Sequence, residues 1–287
     1  MQTDIANIIE KAIANKHLAG AILQVNKKGA PLLQEAFGIQ SFDEKINAGR
    51  LIEVVAILPL ILKLVERRRS KLALNHKLSL YFPEFAQEGK ENLQIMNLLT
   101  HTSGLSPKNF TQPLIFQPGA KVEYNAENFK LLPAVFEVVT GYSFHSFYQD
   151  RILDLLLMQE TELTENYQLL TTVSDLSRYA TMIEQDGSYD FIKIINKRAV
   201  QLSKQNFTSF LNDNRGLGWS IQNDTSDYPL NYSKEAYGYL DGLTTSLWFE
   251  PKKALNIVLH LTPFSEGEEK HLAEIRQDIL SVIGRQG

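Results

Sequence analysis

Asn97-Leu98-Leu99-Thr100-His101-Thr102-Ser103-Gly104-Leu105 is the stretch on which the reading of this 287-residue chain turns. Residues 92–99 read as a short helix, and Thr100 to Leu105 as the loop that leaves it. Upstream, residues 50–68 are apolar nearly all round, the mark of a buried helix, with Pro59 as its expected kink. Downstream, residues 128–140 form a helix stopped by Gly141. Val173-Ser174-Asp175-Leu176 opens another helix, which runs to about residue 185 and stops at Gly187. The loop therefore sits inside a long helical stretch.

Both ends of the chain differ from this middle. Ile5, Ile8, Ile9, Ala12 and Ile13 recur at i, i+3, i+4, i+7 and i+8, so the N-terminus predicts an amphipathic helix. Residues 21–25 and 32–37 follow as strands, joined through Gly29 and Pro31 in a hairpin turn spanning residues 26–31. Strands are expected again at 217–221, 245–249 and 256–261, the last two joined through Glu250-Pro251-Lys252-Lys253. A final helix over 268–283 places Leu272, Ile275, Ile279 and Val282 on one face. The order predicts an α/β (α+β) chain. One antiparallel sheet of about five strands is built from both ends, flanked by the N- and C-terminal helices, with a helical subdomain inserted. The expected division is a sheet subdomain of residues 1–45 and 215–287 and a helical subdomain of residues 46–214, within a single domain.

Composition removes several functions. Charged residues are 22%, hydrophobic residues 44%, and the net charge is −4, which leaves no footprint for nucleic acid or for a basic membrane surface. The absence of cysteine excludes disulfides, thiolate catalysis, iron–sulfur clusters and cysteine zinc sites. No apolar stretch is long enough to span a membrane, and the N-terminus lacks the regions of a signal peptide, so the expected location is the cytoplasm. No phosphate-binding P-loop, G-x-G-x-x-G, H-E-x-x-H or G-x-S-x-G is present. The six histidines, His17, His76, His101, His145, His260 and His271, show no metal-ligand spacing. No metal and no cofactor is expected. Arg67-Arg68-Arg69 reads as a helix C-terminus, where cations complement the dipole, in preference to an anion site.

The loop and its surroundings resemble one family. Tyr81-Phe82-Pro83-Glu84-Phe85 ahead of it, Pro118-Gly119-Ala120-Lys121-Val122-Glu123-Tyr124 after it, and Phe136-Glu137-Val138-Val139-Thr140-Gly141 come in order. Residues 152–161, Thr172-Val173-Ser174-Asp175-Leu176, Gly216-Leu217-Gly218-Trp219 and Ser246-Leu247-Trp248-Phe249-Glu250-Pro251 continue the series. Together they are similar to the bacterial serine β-lactamase and penicillin-binding-protein family, in its class C β-lactamase, DD-peptidase and esterase branch. The resemblance covers roughly residues 5 to 264 and agrees with the sheet–insertion–sheet pattern.

That family's chemistry needs Ser-x-x-Lys at the start of the buried helix, where the serine attacks a carbonyl and the lysine one turn on handles its proton. By the resemblance, the serine position here is Arg50, or Leu51 with a slip of one, and the lysine position is Glu53, or Val54. No Ser-x-x-Lys occurs anywhere in the chain. The second motif reads Tyr124-Asn125-Ala126: the tyrosine is kept, and Asn125 or Asn128 would have to stand in for the usual asparagine. The third motif falls on Tyr239-Leu240-Asp241 or Leu240-Asp241-Gly242, without the family's cation. The loops over 38–50 and 161–172 are shorter than the family's. Glu53 suits the positive end of a helix, and an Arg50–Glu53 pair would fill the former nucleophile pocket.

The resemblance thus implies a serine-hydrolase homologue whose nucleophile is lost, a pseudoenzyme with a binding or regulatory role. Tyr124, Asn125, Asn128, Tyr239 and Asp241 are the ligand-binding candidates, and a small molecule or a peptide in the degenerate cleft is the expected ligand. One alternative is an esterase, amidase or peptidase rebuilt around Tyr124. Another is a partner subunit for an active paralogue, within a homo- or hetero-oligomer. His101 and Ser103 read as parts of a structural turn, and Trp219 and Trp248 as core.

Overall fold

The structure, a computed structural model, describes residues 1–65, 72–87, 89–222, 229, 231–240 and 244–286. It opens with α1 (Gln2–Ala14), which buries Ile5, Ile9 and Ala12 on its expected face. Strands β1 (Leu18–Lys27) and β2 (Ala30–Gly38) run longer than their apolar runs. Their turn shrinks to Lys28 and Gly29, both with positive φ, the geometry that matches strand twist in a two-residue hairpin. Pro31 thereby enters β2, the edge strand, where a missing N–H costs no ladder bond.

The stretch expected as one helix over 50–68 is three pieces. After β3 (Ile46–Asn47) comes a 3-10 turn, Gly49–Leu51, then a π-wound turn, Glu53–Ile57, then α2 (Leu58–Val65). Pro59 stands at the second position of α2 and has no N–H for the carbonyl one turn back, so the winding loosens just before it. Arg67, Arg68 and Arg69 lie outside the described residues.

The insertion continues with α3 (Ile95–Leu99) and α4 (Ala126–Thr140). Helix α4 starts earlier than its apolar period because the Asn125 side chain accepts the Glu127 N–H at 2.9 Å, and it ends at Gly141 with φ 72°. Helices α5 (Phe144–Tyr148) and α6 (Asp154–Leu156) follow, then the short strands β4 (Glu162–Leu163) and β5 (Leu169–Thr171), which pair as β3-β5-β4. Helix α7 (Val173–Glu184) is capped by Thr172, whose hydroxyl accepts the Asp175 N–H at 3.1 Å. A small hairpin, β6 (Ser188–Tyr189) and β7 (Ile192–Lys193), and α8 (Lys197–Ser203) complete the insertion.

The chain then returns to the sheet through β8 (Ser220–Ile221), β9 (Tyr237–Tyr239), β10 (Thr245–Glu250) and β11 (Leu255–Pro263), and closes with α9 (Glu269–Gln286). The sheet has six antiparallel strands in the order β2-β1-β11-β10-β9-β8. The additional strand is β9, too short and glycine-interrupted to show as an apolar run. A Cβ on Gly238 would meet the Leu247 carbonyl at 2.2 Å, so close pairing with β10 requires glycine there. The strand expected over 217–221 shrinks to β8 because residues before it bind the insertion instead. Leu217 N–H donates to the Ser203 carbonyl and Gly218 N–H to the Leu99 carbonyl.

Side chains alternate across the sheet. Leu23, Val25, Ile257, Leu259 and Trp248 face α1 and α9. Ile22, Leu247, Phe249 and Val258 face the insertion, in one apolar cluster with α2, α4 and α7. Trp219 and Trp248 are both core, on opposite faces. Among the described residues no helix is long and apolar enough to cross a membrane.

Candidate functional site

The loop after α3 is tied by its own side chains. Asn97 Nδ2 donates to Thr102 Oγ1 at 3.0 Å, and the Thr100 and Thr102 hydroxyls lie 2.9 Å apart. His101 has φ 54° and Gly104 φ 72°. A Cβ on Gly104 would lie 1.9 Å from the Phe116 carbonyl oxygen, so this turn needs glycine. The segment leading to Tyr124 is hung on the same loop, with Gly119 N–H donating to the Thr102 carbonyl and Glu123 N–H to the His101 carbonyl. These bonds fix Tyr124 relative to the π-wound turn that carries Glu53.

Glu53 is buried, and its carboxylate is held from two sides. The Tyr124 hydroxyl donates to Oε1 at 2.8 Å, and the Tyr239 hydroxyl, from the last position of β9, donates to Oε2 at 2.9 Å. His101 Nε2 lies 3.5 Å from Oε2. Arg50 is exposed and places its guanidinium 4.3 Å from the Tyr124 ring centroid, a cation–π contact. Two phenol hydroxyls hold the carboxylate, and Arg50 covers the Tyr124 ring.

A second layer of polar groups sets the histidine. The Asn125 N–H and the Asn128 amide both point at His101 Nδ1, at 3.4 and 3.3 Å, and Ser103 Oγ donates to Asn128 Oδ1. With Asn128 Oδ1 taken by Ser103, its amide nitrogen faces the ring, so Nδ1 is the acceptor, and Nε2 lies 3.5 Å from Glu53 Oε2 without a hydrogen bond to it. The Tyr124 phenol is pushed well above its ordinary pKa. Burial is the main cause, the Glu53 charge and hydrogen bond add to it, and Arg50 offsets part of it. At neutral pH this phenol is therefore a hydrogen-bond donor and holds its proton.

The structure brings Arg50, Glu53, Tyr124 and Tyr239 together from parts of the chain far apart in sequence. Asn125 and Asn128 are buried behind them. Asn125 caps α4 and donates to the Leu105 carbonyl at 2.7 Å, and Asn128 links Ser103 to His101. Asp241 and Gly242 lie outside the described residues. His101 is the residue that reading the loop as a turn misses. It is a turn residue and also the buried imidazole facing Glu53, and no spacing in the sequence signals that contact. Among the described residues, the three metal-capable side chains that come together are His17, Glu268 and His271, none of which belongs to this site.

Known proteins share this architecture. The Beta-lactamase family model matches residues 5–280. Protein flp of Staphylococcus aureus is 28% identical over 199 residues in one strain, covering 58% of this chain and 39% of the relative. In another strain it is 24% identical over 341 aligned positions, covering 98% and 66%. The chain thus spans 39% to 66% of the length of these relatives. Among solved structures, an octameric penicillin-binding protein homologue from Pyrococcus abyssi superposes with a TM-score of 0.79 at 16% identity, over 98% of this chain and 77% of that one. A β-lactamase from Mycobacterium bovis superposes with a TM-score of 0.73 at 17% identity, over 96% and 98%. At such identities the superpositions speak for the fold alone. The family match, which spans nearly the whole chain, and the six-stranded sheet with its helical insertion lead to one conclusion: the chain belongs to the Beta-lactamase family.

Proposed function

We propose that this chain has lost acyl-serine chemistry and uses the cleft around Glu53 to bind a small-molecule or peptide ligand. The observation that carries this reading is the Glu53 carboxylate, buried and hydrogen-bonded by Tyr124 and Tyr239, at the position the resemblance assigns to the motif lysine. A covalent hydrolase of this family needs a nucleophile beside a group that takes its proton. Arg50 supplies no nucleophile. Ser103, the hydroxyl of the neighbouring loop, is buried and committed to Asn128. A hydrolase rebuilt around Tyr124 would need that phenol to release its proton, which burial and Glu53 both oppose.

Hydrolysis of p-nitrophenyl acetate tests the proposal. The native chain is expected to match the buffer rate, and so is the Arg50→Ser, Glu53→Lys double variant. That variant restores a serine and a lysine but keeps the rest of the altered site, and residues acting as a unit contribute non-additively. Turnover by the native chain that disappears in Tyr124→Phe would contradict the proposal and establish the rebuilt hydrolase.

A further inference from the structure

The two ends of the chain meet where the α1–β1 turn packs on the start of α9. Leu18 pairs with Pro263 across β1 and β11, and Phe264 N–H donates to the His17 carbonyl at 3.2 Å, so the backbone here is held by the sheet. His17 Nδ1 lies 2.9 Å from Glu268 Oε2, and His271 Nε2 lies 3.6 Å from the same oxygen. The two imidazole ring centroids lie 3.9 Å apart, with planes tilted by 31°. One ligand atom from each of the three side chains can be taken with all of them within 4.8 Å of one another. All three side chains are half-buried.

We propose that His17, Glu268 and His271 form a three-ligand site for a divalent transition cation of the zinc class, completed by water. The donor set is two imidazole nitrogens and one carboxylate oxygen, which suits zinc and its neighbours, whereas magnesium and calcium prefer oxygen donors throughout. Zinc bonds of about 2.0–2.2 Å place tetrahedral ligand atoms about 3.3–3.5 Å apart. Two of the three separations, 2.9 and 3.6 Å, bracket that spacing, and the third lies within 4.8 Å. Glu268 and His271 are one turn apart, with His271 N–H donating to the Glu268 carbonyl at 3.0 Å, so two ligands share one rigid frame. His17 comes from the opposite end of the sequence.

Lys16 and Lys270 flank the group and lower its affinity for any cation, so binding must come from direct ligation and not from a general negative field. A bound cation would fasten the α1–β1 turn to α9.

Titration calorimetry of the full chain with zinc chloride, in buffer stripped of metal, tests the site, together with thermal melting with and without zinc. One zinc ion per chain and a raised melting temperature are expected, with no response to magnesium. His17→Gln and His271→Gln should each weaken zinc binding by at least the about tenfold that loss of even an outer-shell partner costs. Glu268→Gln keeps the side chain's shape and should weaken binding in the same way, so the result does not rest on the histidine variants folding. Cobalt substituted for zinc should show the intense visible absorption of a tetrahedral site. Absence of zinc uptake by the native chain would overturn the proposal. So would uptake that persists unchanged in Glu268→Gln and in the histidine variants.

Discussion

The two faces of the sheet are packed by different rules. The face covered by α1 and α9 is closed by Ile5, Ile9, Leu23, Ile257, Leu259 and Ile279, an apolar contact between two amphipathic helices and alternate strand positions. The face toward the insertion has a larger apolar cluster, and a polar seam runs through it. Asn26 donates to Ser177 Oγ at 2.6 Å and to Asn256 Oδ1 at 2.9 Å between the sheet and α7. His260 pairs with Thr245 at 2.8 Å, and Glu53 gathers two tyrosine hydroxyls. Apolar packing tolerates variation in detail, whereas a buried polar network requires every partner in place. The first face is mainly apolar, with Glu250 accepting from Ser233 Oγ at 2.7 Å and Arg276 donating to the Leu240 carbonyl at 2.6 Å among its buried polar groups. The second also has to specify where the insertion sits, and Glu53 with its two tyrosines lies at that junction.

Truncations on the terminal face should have the largest effect on stability. Ile279→Ala removes a fully buried side chain and is expected to cost about 2–5 kcal/mol in urea unfolding, with no change in ligand binding at the cleft. A cost below that of the Glu53 substitutions would break the contrast between the faces.

Acid should act through the insertion face. Burial pushes the His260 imidazole down to about 4 from 6.5. Between those values the unfolded chain binds a proton that the folded chain refuses, so this contribution is complete above about pH 6.5 and falls away as pH drops toward 4. The full loss amounts to about 3 kcal/mol. Stability measured from pH 7 to 4 should fall less steeply in His260→Gln than in the native chain. Equal slopes would remove His260 from the explanation.

Smaller changes are expected at the carboxylate. Glu53→Gln keeps the shape but weakens two charge-assisted bonds, for an expected cost of about 1–3 kcal/mol. Tyr239→Phe removes one of the two donors and should cost about 0.5–1.5 kcal/mol. Because both act on one group, the pair should be non-additive in a double-mutant cycle. Additive effects would mean that Tyr239 and Glu53 do not share a bond that matters.

Much of this contrast was legible beforehand on one face only. The 3.6-residue periods of α1 and α9 and the apolar runs of β1, β10 and β11 mark the terminal face directly, because apolar burial leaves a local pattern. The ordered segments around Ser103 and Gly104 place the insertion and bring Tyr124 near Glu53 by resemblance. What escaped depends on pairing at a distance. β9 is three residues around Gly238 and leaves no apolar run; the resemblance puts Tyr239 at the site, but its bond to Glu53, 186 positions away, needs the fold. The π-wound turn follows from Pro59, but its effect on Glu53 needs three dimensions. His17 and His271 come together across the chain ends, a ring contact at 3.9 Å that no spacing in the sequence signals.

Acylation is the direct test of the claim that the cleft retains a polar site without a nucleophile. The purified chain is incubated with a fluorescent penicillin in excess, and its intact mass is measured. The expected result is the unmodified mass of the chain, with no fluorescence retained after denaturation. A stoichiometric mass increase equal to the penicillin, mapped by peptide analysis to any serine, would contradict it.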